Sequence, residues 1–271
     1  MYIAFFDSGI GGITVLHTAL ELLPDNVKYL YYADTEHVPY GTKKKNVVKR
    51  HIHKAADFII KQGVDALVVA CNTATSIAIQ DLRNAYQVPI IGMEPAVKPA
   101  VEICGDRRVL VLATPLTLKE DKYEDLVSKV DSDHIVDSLP LPELVNYAEK
   151  FQFEEEEVIE FIQSKLSSYD LDQYGTIVLG CTHFVYYRDI LSSILPSQID
   201  IIDGNMGTVQ HLKNVMGLND YDNDTNIDRD FRINNYNHEE LYSEDISFYI
   251  SGRKENNSVL YRYLDRLMKL K

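Results

Sequence analysis

Nowhere in the 271 residues is there a run of about 18 apolar side chains, the length a helix needs to cross a membrane. The opening stretch MYIAFFDSGIGG enters a strand-like apolar run without the basic stretch and cleavage site of a secretory leader, so a cytoplasmic location is expected. Basic side chains are in short supply: 27 Lys and Arg against 41 Asp and Glu give a formal net charge of -14. Nucleic acids and anionic membranes both require a positive footprint, so neither is expected as a partner. Cysteine is scarcer still, with Cys71, Cys104 and Cys181 far apart and odd in number. In a reducing compartment that pattern excludes a disulfide framework and leaves free thiols. Cys71, Cys181 and His183 are conceivable zinc ligands, but the closely spaced second pair of a structural zinc site is missing, so no metal is expected. The glycine-rich DSGIGG has neither G-x-G-x-x-G spacing nor a Walker lysine, which removes the nucleotide reading.

What is present suits a folded domain with a proper core, at 45% hydrophobic and 25% charged residues. Two acidic runs, FEEEEVIEF and NDYDNDTNIDRDF, read as solvated surface. Short apolar runs predict strands at Tyr2–Phe6, Tyr29–Tyr32, Ala66–Ala70, Ile90–Ile91, Val109–Ala113, His134–Asp137, Ile177–Leu179 and Ile199–Ile202. Between them, TVLHTALELL, VVKRHIHKAADFIIKQG and EEEEVIEFIQSKLSSY carry apolar residues at three- and four-residue spacing. Such alternation predicts an α/β fold with mainly parallel sheets.

An internal echo divides the chain. ALVVACNT and TIVLGCTH share one plan: four strand residues, a small residue, a cysteine, then hydroxyl or amide groups. Each is preceded by a strand that ends on a polar residue, IAFFDS and VLVLAT, and Asp7 stands nearly as far from Cys71 as Thr114 from Cys181. Two similar α/β domains are expected, the first from 1–95 plus 206–271, the second from 96–205, with GMEPAVKPA as the first crossing. Because ligands of open α/β sheets bind outside the carboxyl ends of the strands, both thiols would face one cleft between the domains.

Free cysteine usually behaves as a small buried hydrophobe, so Cys71 alone carries no chemistry. Its neighbours change the reading. The glycines of DSGIGG let backbone N–H groups approach a small anion. Asp7 at a strand end needs a partner. VPYGTKK reads as a turn with Tyr40 and Gly41 at a loop tip. In GCTH, Cys181 and His183 lie two apart, which in a strand puts both on one face; the pair suits a thiol with its base, half a metal site, or a packed edge. A cysteine protease or acyltransferase needs one cysteine, a base and an oxyanion hole, and gives no role to a second, echoed cysteine. Two thiols facing each other suit removal of a proton from one face of a carbon and delivery of one to the other.

FFDSGIGG, PYGTK, ACNTAT, GMEPAVKPA and LGCTHF, in this order and at these intervals, resemble the glutamate racemase family of the cofactor-independent aspartate/glutamate racemases, from the first strand to about Asp203. The resemblance implies racemisation of glutamate without pyridoxal phosphate, metal or other cofactor, supplying D-glutamate for bacterial peptidoglycan. On the matching positions Cys71 and Cys181 would be the two acid–base thiols, with Asp7 assisting Cys71 and His183 assisting Cys181. Asp7, Ser8, Tyr40, Gly41, Asn72, Thr73, Thr182 and His183 would hold the substrate. The partner implied is this small molecule; a homodimer is compatible with the motifs, which do not set the oligomeric state.

The chain departs from the family at LPELVNYAE, where an acidic residue follows a P-L-V/I-E pattern: Asn146 stands near the expected place, with Glu143 and Glu149 around it. Which of the two supplies a third carboxylate is open. An aspartate racemase, differing by one methylene in its substrate, is the nearest alternative. A non-catalytic amino-acid-binding protein on the same scaffold is the other, though binding alone gives no use for two thiols and His183.

Overall fold

Tyr2–Asp7 (β1) is apolar on both faces because both are covered, as in a central strand of a parallel sheet. In the computed structural model, which describes residues 1–218 and 245–270, β1 lies between Lys28–Ala33 (β2) and Ala66–Val69 (β3), parallel to both. Ile90–Gly92 (β4) continues one edge. Arg108–Ala113 (β5), Val136–Pro140 (β6), Tyr174–Leu179 (β7) and Asp200–Asp203 (β8) form a second, wholly parallel sheet. Ile246–Ile250 (β9) returns to the first sheet, parallel to β2, and Arg253–Glu255 (β10) turns back antiparallel on it.

The first sheet runs β10-β9-β2-β1-β3-β4 and the second β6-β5-β7-β8. Without the final hairpin the two orders are the same, strand for strand, so the echo in the sequence is an echo in topology: β1 corresponds to β5 and β3 to β7. The fold is therefore two α/β domains with mainly parallel sheets.

Alternate residues of β1 serve different layers, as the two-residue period of a strand requires. Ile3 and Phe5 pack with Leu16 and Leu20 of the helix Ile13–Leu22 and with Leu260 and Leu264 of the last helix, Ser258–Leu267. Ala4 and Phe6 face Val48 and Ile52 of Lys45–Ile60 and Ile77 and Leu82 of Asn72–Ala85. The first of these cores continues into the second sheet through Leu110, Leu112, Ile177 and Leu179, together with Leu144 of the helix Glu143–Glu149. Each fully buried side chain of this kind contributes about 1.5–3 kcal/mol, and a core shared by both sheets fixes how their strand ends meet.

The predicted strands are found within one residue at either end, except the sixth and the seventh; the seventh begins at Tyr174, three residues before Ile177. The sixth begins at Val136 instead of His134, because the Asp131 carboxylate accepts hydrogen bonds from the N–H groups of Ile135 and Val136 and His134 adopts a left-handed φ of 57°. The hairpin β9–β10 was not foreseen, although ISFYI is rich in strand formers and Ser251–Gly252, both at positive φ, makes its two-residue turn. Glu154–Glu157 are exposed, as expected of an acidic run. NDYDNDTNIDRDF lies outside the described residues.

Candidate active site

Both echoed cysteines stand just past the carboxyl end of a central strand, and the chain leaves each strand differently. Cys71 is the N-cap of the helix Asn72–Ala85, its Sγ accepting the Ala74 N–H at 3.4 Å. Ser8 Oγ lies 3.7 Å from the same sulfur. Cys181 leads into a 3-10 helix, Thr182–Tyr187, so His183 reaches it around a turn and not across a strand face as the sequence suggested. His183 Nδ1 lies 3.8 Å from Cys181 Sγ. Cys71 and Cys181 are 6% and 7% exposed, which keeps bulk water largely away from both. Cys104, also a free thiol, belongs to the core around Val97 and Val109, apart from this site.

Asp7 joins the two halves. It is fully buried, with Oδ1 accepting from Gly9 N at 2.9 Å and Ser8 Oγ at 3.3 Å, and Oδ2 accepting from Thr182 Oγ1 of the other sheet at 3.1 Å. The partner that a carboxylate needs in this place is thus supplied three times over. Burial pushes the Asp7 carboxyl up, and the positive charge of His183 and the Gly9 N–H pull part of that back. Burial also pushes the Cys71 thiol well up, and the nearby charge of Asp7 adds to it; the Ala74 N–H works the other way and does not prevail.

Of the two glutamates, Glu149 is the one that reaches His183. Glu149 Oε1 lies 2.7 Å from His183 Nε2 and accepts the Ile10 N–H at 2.8 Å. Asn146 is exposed, and Glu143 has one carboxylate oxygen buried without a hydrogen-bond partner. Burial opposes a charge on His183, yet the hydrogen bonds and charges of Cys181 and Glu149 outweigh it and hold the imidazole well above its usual range. The glycines of DSGIGG make room for this pair: a Cβ on Gly9 would collide with the Glu149 carboxylate, and one on Gly11 with His183 and Thr182.

Tyr40 and Gly41 sit in a short 3-10 turn and are buried, not at an exposed loop tip. Tyr40 Oη donates to Asp34 Oδ2 at 2.5 Å, so its hydroxyl is committed within the protein. Gly41 packs on Thr114, where a side chain would not fit. Thr73 Oγ1 meets Thr114 Oγ1 at 2.9 Å and Thr117 Oγ1 at 3.0 Å. Sequence reasoning missed these two threonines, although Thr114 occupies the position that echoes Asp7. Asn72 is buried, and its Oδ1 has no hydrogen-bond donor among the described residues.

Among the described residues one trio, Asp34, His37 and His51, brings metal-ligand atoms within 4.8 Å of one another. Its carboxylate is already taken by Tyr40, by His37 Nδ1 at 2.8 Å and by Ser251 Oγ at 3.2 Å, and the trio does not include the thiols. No helix among the described residues is long and apolar enough to cross a membrane.

The family profile for Asp/Glu/Hydantoin racemase matches residues 15–212. A glutamate racemase of Halothermothrix orenii is 54% identical over 270 residues, covering 100% of both chains. Glutamate racemase 2 of Bacillus subtilis is 53% identical over 218 residues, 80% of this chain and 82% of that relative. The crystal structure of Escherichia coli glutamate racemase, in complex with L-glutamate and the activator UDP-MurNAc-Ala, aligns with a TM-score of 0.74 at 27% identity, covering 80% of this chain and 82% of that one.

Proposed function

The chain belongs to the Asp/Glu/Hydantoin racemase family, and from that membership we propose that Cys71 and Cys181 are its two acid–base thiols, acting on opposite faces of one Cα. The reaction is the interconversion of L- and D-glutamate. One thiolate takes the Cα proton, the electron pair is held as a carbanion beside the carboxylate, and the opposite thiol delivers its proton to the other face. Turnover in one direction leaves the thiols set for the other. Cys181 serves the L form and Cys71 the D form, and the D-glutamate formed feeds peptidoglycan synthesis in the cytoplasm.

The observation that carries this reading is that two thiols at equivalent strand ends meet across the Asp7–Thr182 hydrogen bond, each with its own partners. Asp7 assists Cys71 through Ser8, and His183 assists Cys181. Ser8, Asn72, Thr73, Thr182 and the Tyr40–Gly41 backbone hold the amino and carboxylate groups. Burial, and then the charge of Asp7, push the Cys71 thiol up, and the ammonium of a bound substrate offsets that cost. Excluded water and aimed donors lower the cost of the carbanion. The same geometry supports dividing the chain into 1–95 plus 206–271 and 96–205, so that each domain contributes one thiol.

Circular dichroism on D- and L-glutamate and on D- and L-aspartate, with chelator present and no cofactor added, tests the reaction and its independence of a metal or cofactor. Both glutamate enantiomers are expected to relax to the racemate, with aspartate slower by about 10- to 200-fold, the worth of one methylene. A faster reaction with aspartate, or activity lost to chelator and restored by zinc, would overturn it.

A further inference from the structure

Tyr263 lies on the last helix, Ser258–Leu267, beyond the residues that the family profile matches. Its Oη donates to Ala148 O at 3.0 Å and Glu149 O at 3.3 Å, carbonyls in the last turn of Glu143–Glu149 that a helix end leaves short of partners. Two residues on, Phe151 stands at a φ of 60°, a left-handed conformation that a bulky residue adopts only when its surroundings impose it. Those surroundings come from the last helix. The Arg262 guanidinium covers the Phe151 ring at 3.9 Å, and the Tyr263 ring stands edge-on to it at 5.0 Å. Tyr263 also packs on Tyr186, ring centroids 5.7 Å apart, and Tyr186 Oη donates to Ile10 O at 3.3 Å. Ile10 is the residue whose N–H holds the Glu149 carboxylate.

The Glu149 backbone, the strained turn after it and the loop that grips its carboxylate are therefore all tied to one buried side chain. We propose that Tyr263 is a positioning residue for the Cys181 half of the reaction: it fixes Glu149 against His183, and has no corresponding hold on Cys71. The hydrogen bonds of Tyr263 go to Ala148 and Glu149, whereas those of Cys71 go to Ser8 and Ala74. This inference rests on the assignment of Cys181 to the L form and Cys71 to the D form.

Racemisation itself hides such an asymmetry. The enantiomers have equal free energy in water, so kcat/KM is the same in both directions whatever the enzyme. An irreversible half-reaction does not share that constraint. In 3-chloroglutamate, removal of the Cα proton by a thiolate sends the C–H electron pair into a Cα–Cβ double bond and expels chloride with the C–Cl pair; water then hydrolyses the enamine to 2-oxoglutarate and ammonium. Only one base is used for each configuration at Cα.

The test measures 2-oxoglutarate release from the D and L probes by wild type, Cys71→Ser, Cys181→Ser and Tyr263→Phe, all in the full chain. Tyr263→Phe keeps the ring and its packing and removes only the hydroxyl. It is expected to lower kcat/KM for the L probe about 3- to 10-fold, the worth of a neutral hydrogen bond, and to leave the D probe unchanged. If the two serine variants split the enantiomers but Tyr263→Phe slows both probes alike, or neither, the positioning role is wrong and the thiol assignment stands. If the serine variants do not split them, the thiol assignment is wrong, and the proposal falls with it.

Discussion

Cys71 and Cys181 follow corresponding strands of two sheets with the same order, and their surroundings have little else in common. Around Cys71 the groups in direct contact are neutral: the Ala74 N–H at the start of a 14-residue helix and the Ser8 hydroxyl. Around Cys181 the contact is ionisable, an imidazole backed by a carboxylate. A helix start steadies a thiolate with dipoles that need no proton of their own. A His–Glu pair does so with a positive charge that is lost when the imidazole gives up its proton. One duplicated scaffold has thus arrived at two ways of meeting a single requirement, and Asp7, bonded to both halves, is where they join.

The largest effect that separates the halves comes from the thiols themselves. Cys71→Ser and Cys181→Ser should each abolish racemisation in both directions, since a serine hydroxyl is too weakly acidic to supply the base. Each should still eliminate chloride from one probe, Cys71→Ser from the L form and Cys181→Ser from the D form. A single-serine variant that racemises freely would remove the two-base reading altogether.

Asp7→Asn and His183→Asn come next, with turnover lowered roughly 10²- to 10⁴-fold, the range of general acid–base groups, and smaller changes in substrate affinity. Near-normal turnover in both would break the pairing of helper with thiol. The pH profile sharpens the contrast. Burial and then Asp7 raise the Cys71 thiol above its ordinary 9.0, so the thiolate forms late and kcat/KM for the D probe should keep rising above that pH. Asp7→Asn removes the second cause and should move this limb down. The probe's amino group titrates identically in both enantiomers, so any difference between the D and L curves belongs to the protein.

Glu149→Gln should lower turnover about 10- to 100-fold, the scale of a lost hydrogen bond to a charged partner, because the raised pKa of His183 owes part of its rise to this carboxylate. The loss should fall on the L probe. Equal losses on both probes would show that Glu149 serves the cleft as a whole.

How much of this was legible beforehand depends on how far the signal travels along the chain. The strands and the echo were readable because apolar runs and their spacing are local, and a duplicated plan repeats its punctuation. Asp7, Cys71 and Cys181 stood out as polar or reactive groups at strand ends. Glu149 could not be chosen over Glu143, because helix phase is read from periodicity and Glu143–Glu149 spans too few residues to fix which side faces His183. Tyr263 carried no signal at all: a tyrosine at a core position of an amphipathic helix looks like packing until the two carbonyls under its hydroxyl are seen. The turn at VPYGTKK was misjudged because its polar character belongs to Tyr40 and Asp34, which satisfy one another in the interior.

The smallest expected effect supplies the control that these comparisons need, a charged pair in one sheet only and away from both thiols. Arg108 Nε meets Asp137 Oδ2 at 2.7 Å, joining β5 to β6, and Tyr174 Oη donates to the same oxygen at 2.6 Å. The hydrogen bond from Arg108 lowers the Asp137 carboxyl below its ordinary 3.8, so the stabilisation is present above that value and is lost as pH falls through the lower folded-state value. Both side chains are about a third exposed, at 34% and 32%, where solvent screens most of the attraction. Asp137→Asn should therefore cost no more than about 1 kcal/mol, a drop in Tm of about 4 °C or less at neutral pH. The gap from wild type should close in acid once Asp137 is protonated in both the folded and the unfolded chain. Elimination from the D and L probes should be unchanged. Should this variant split the two probes as Glu149→Gln does, the selectivity assigned to the His183 side would be a property of the second sheet as a whole and not of the groups that touch Cys181.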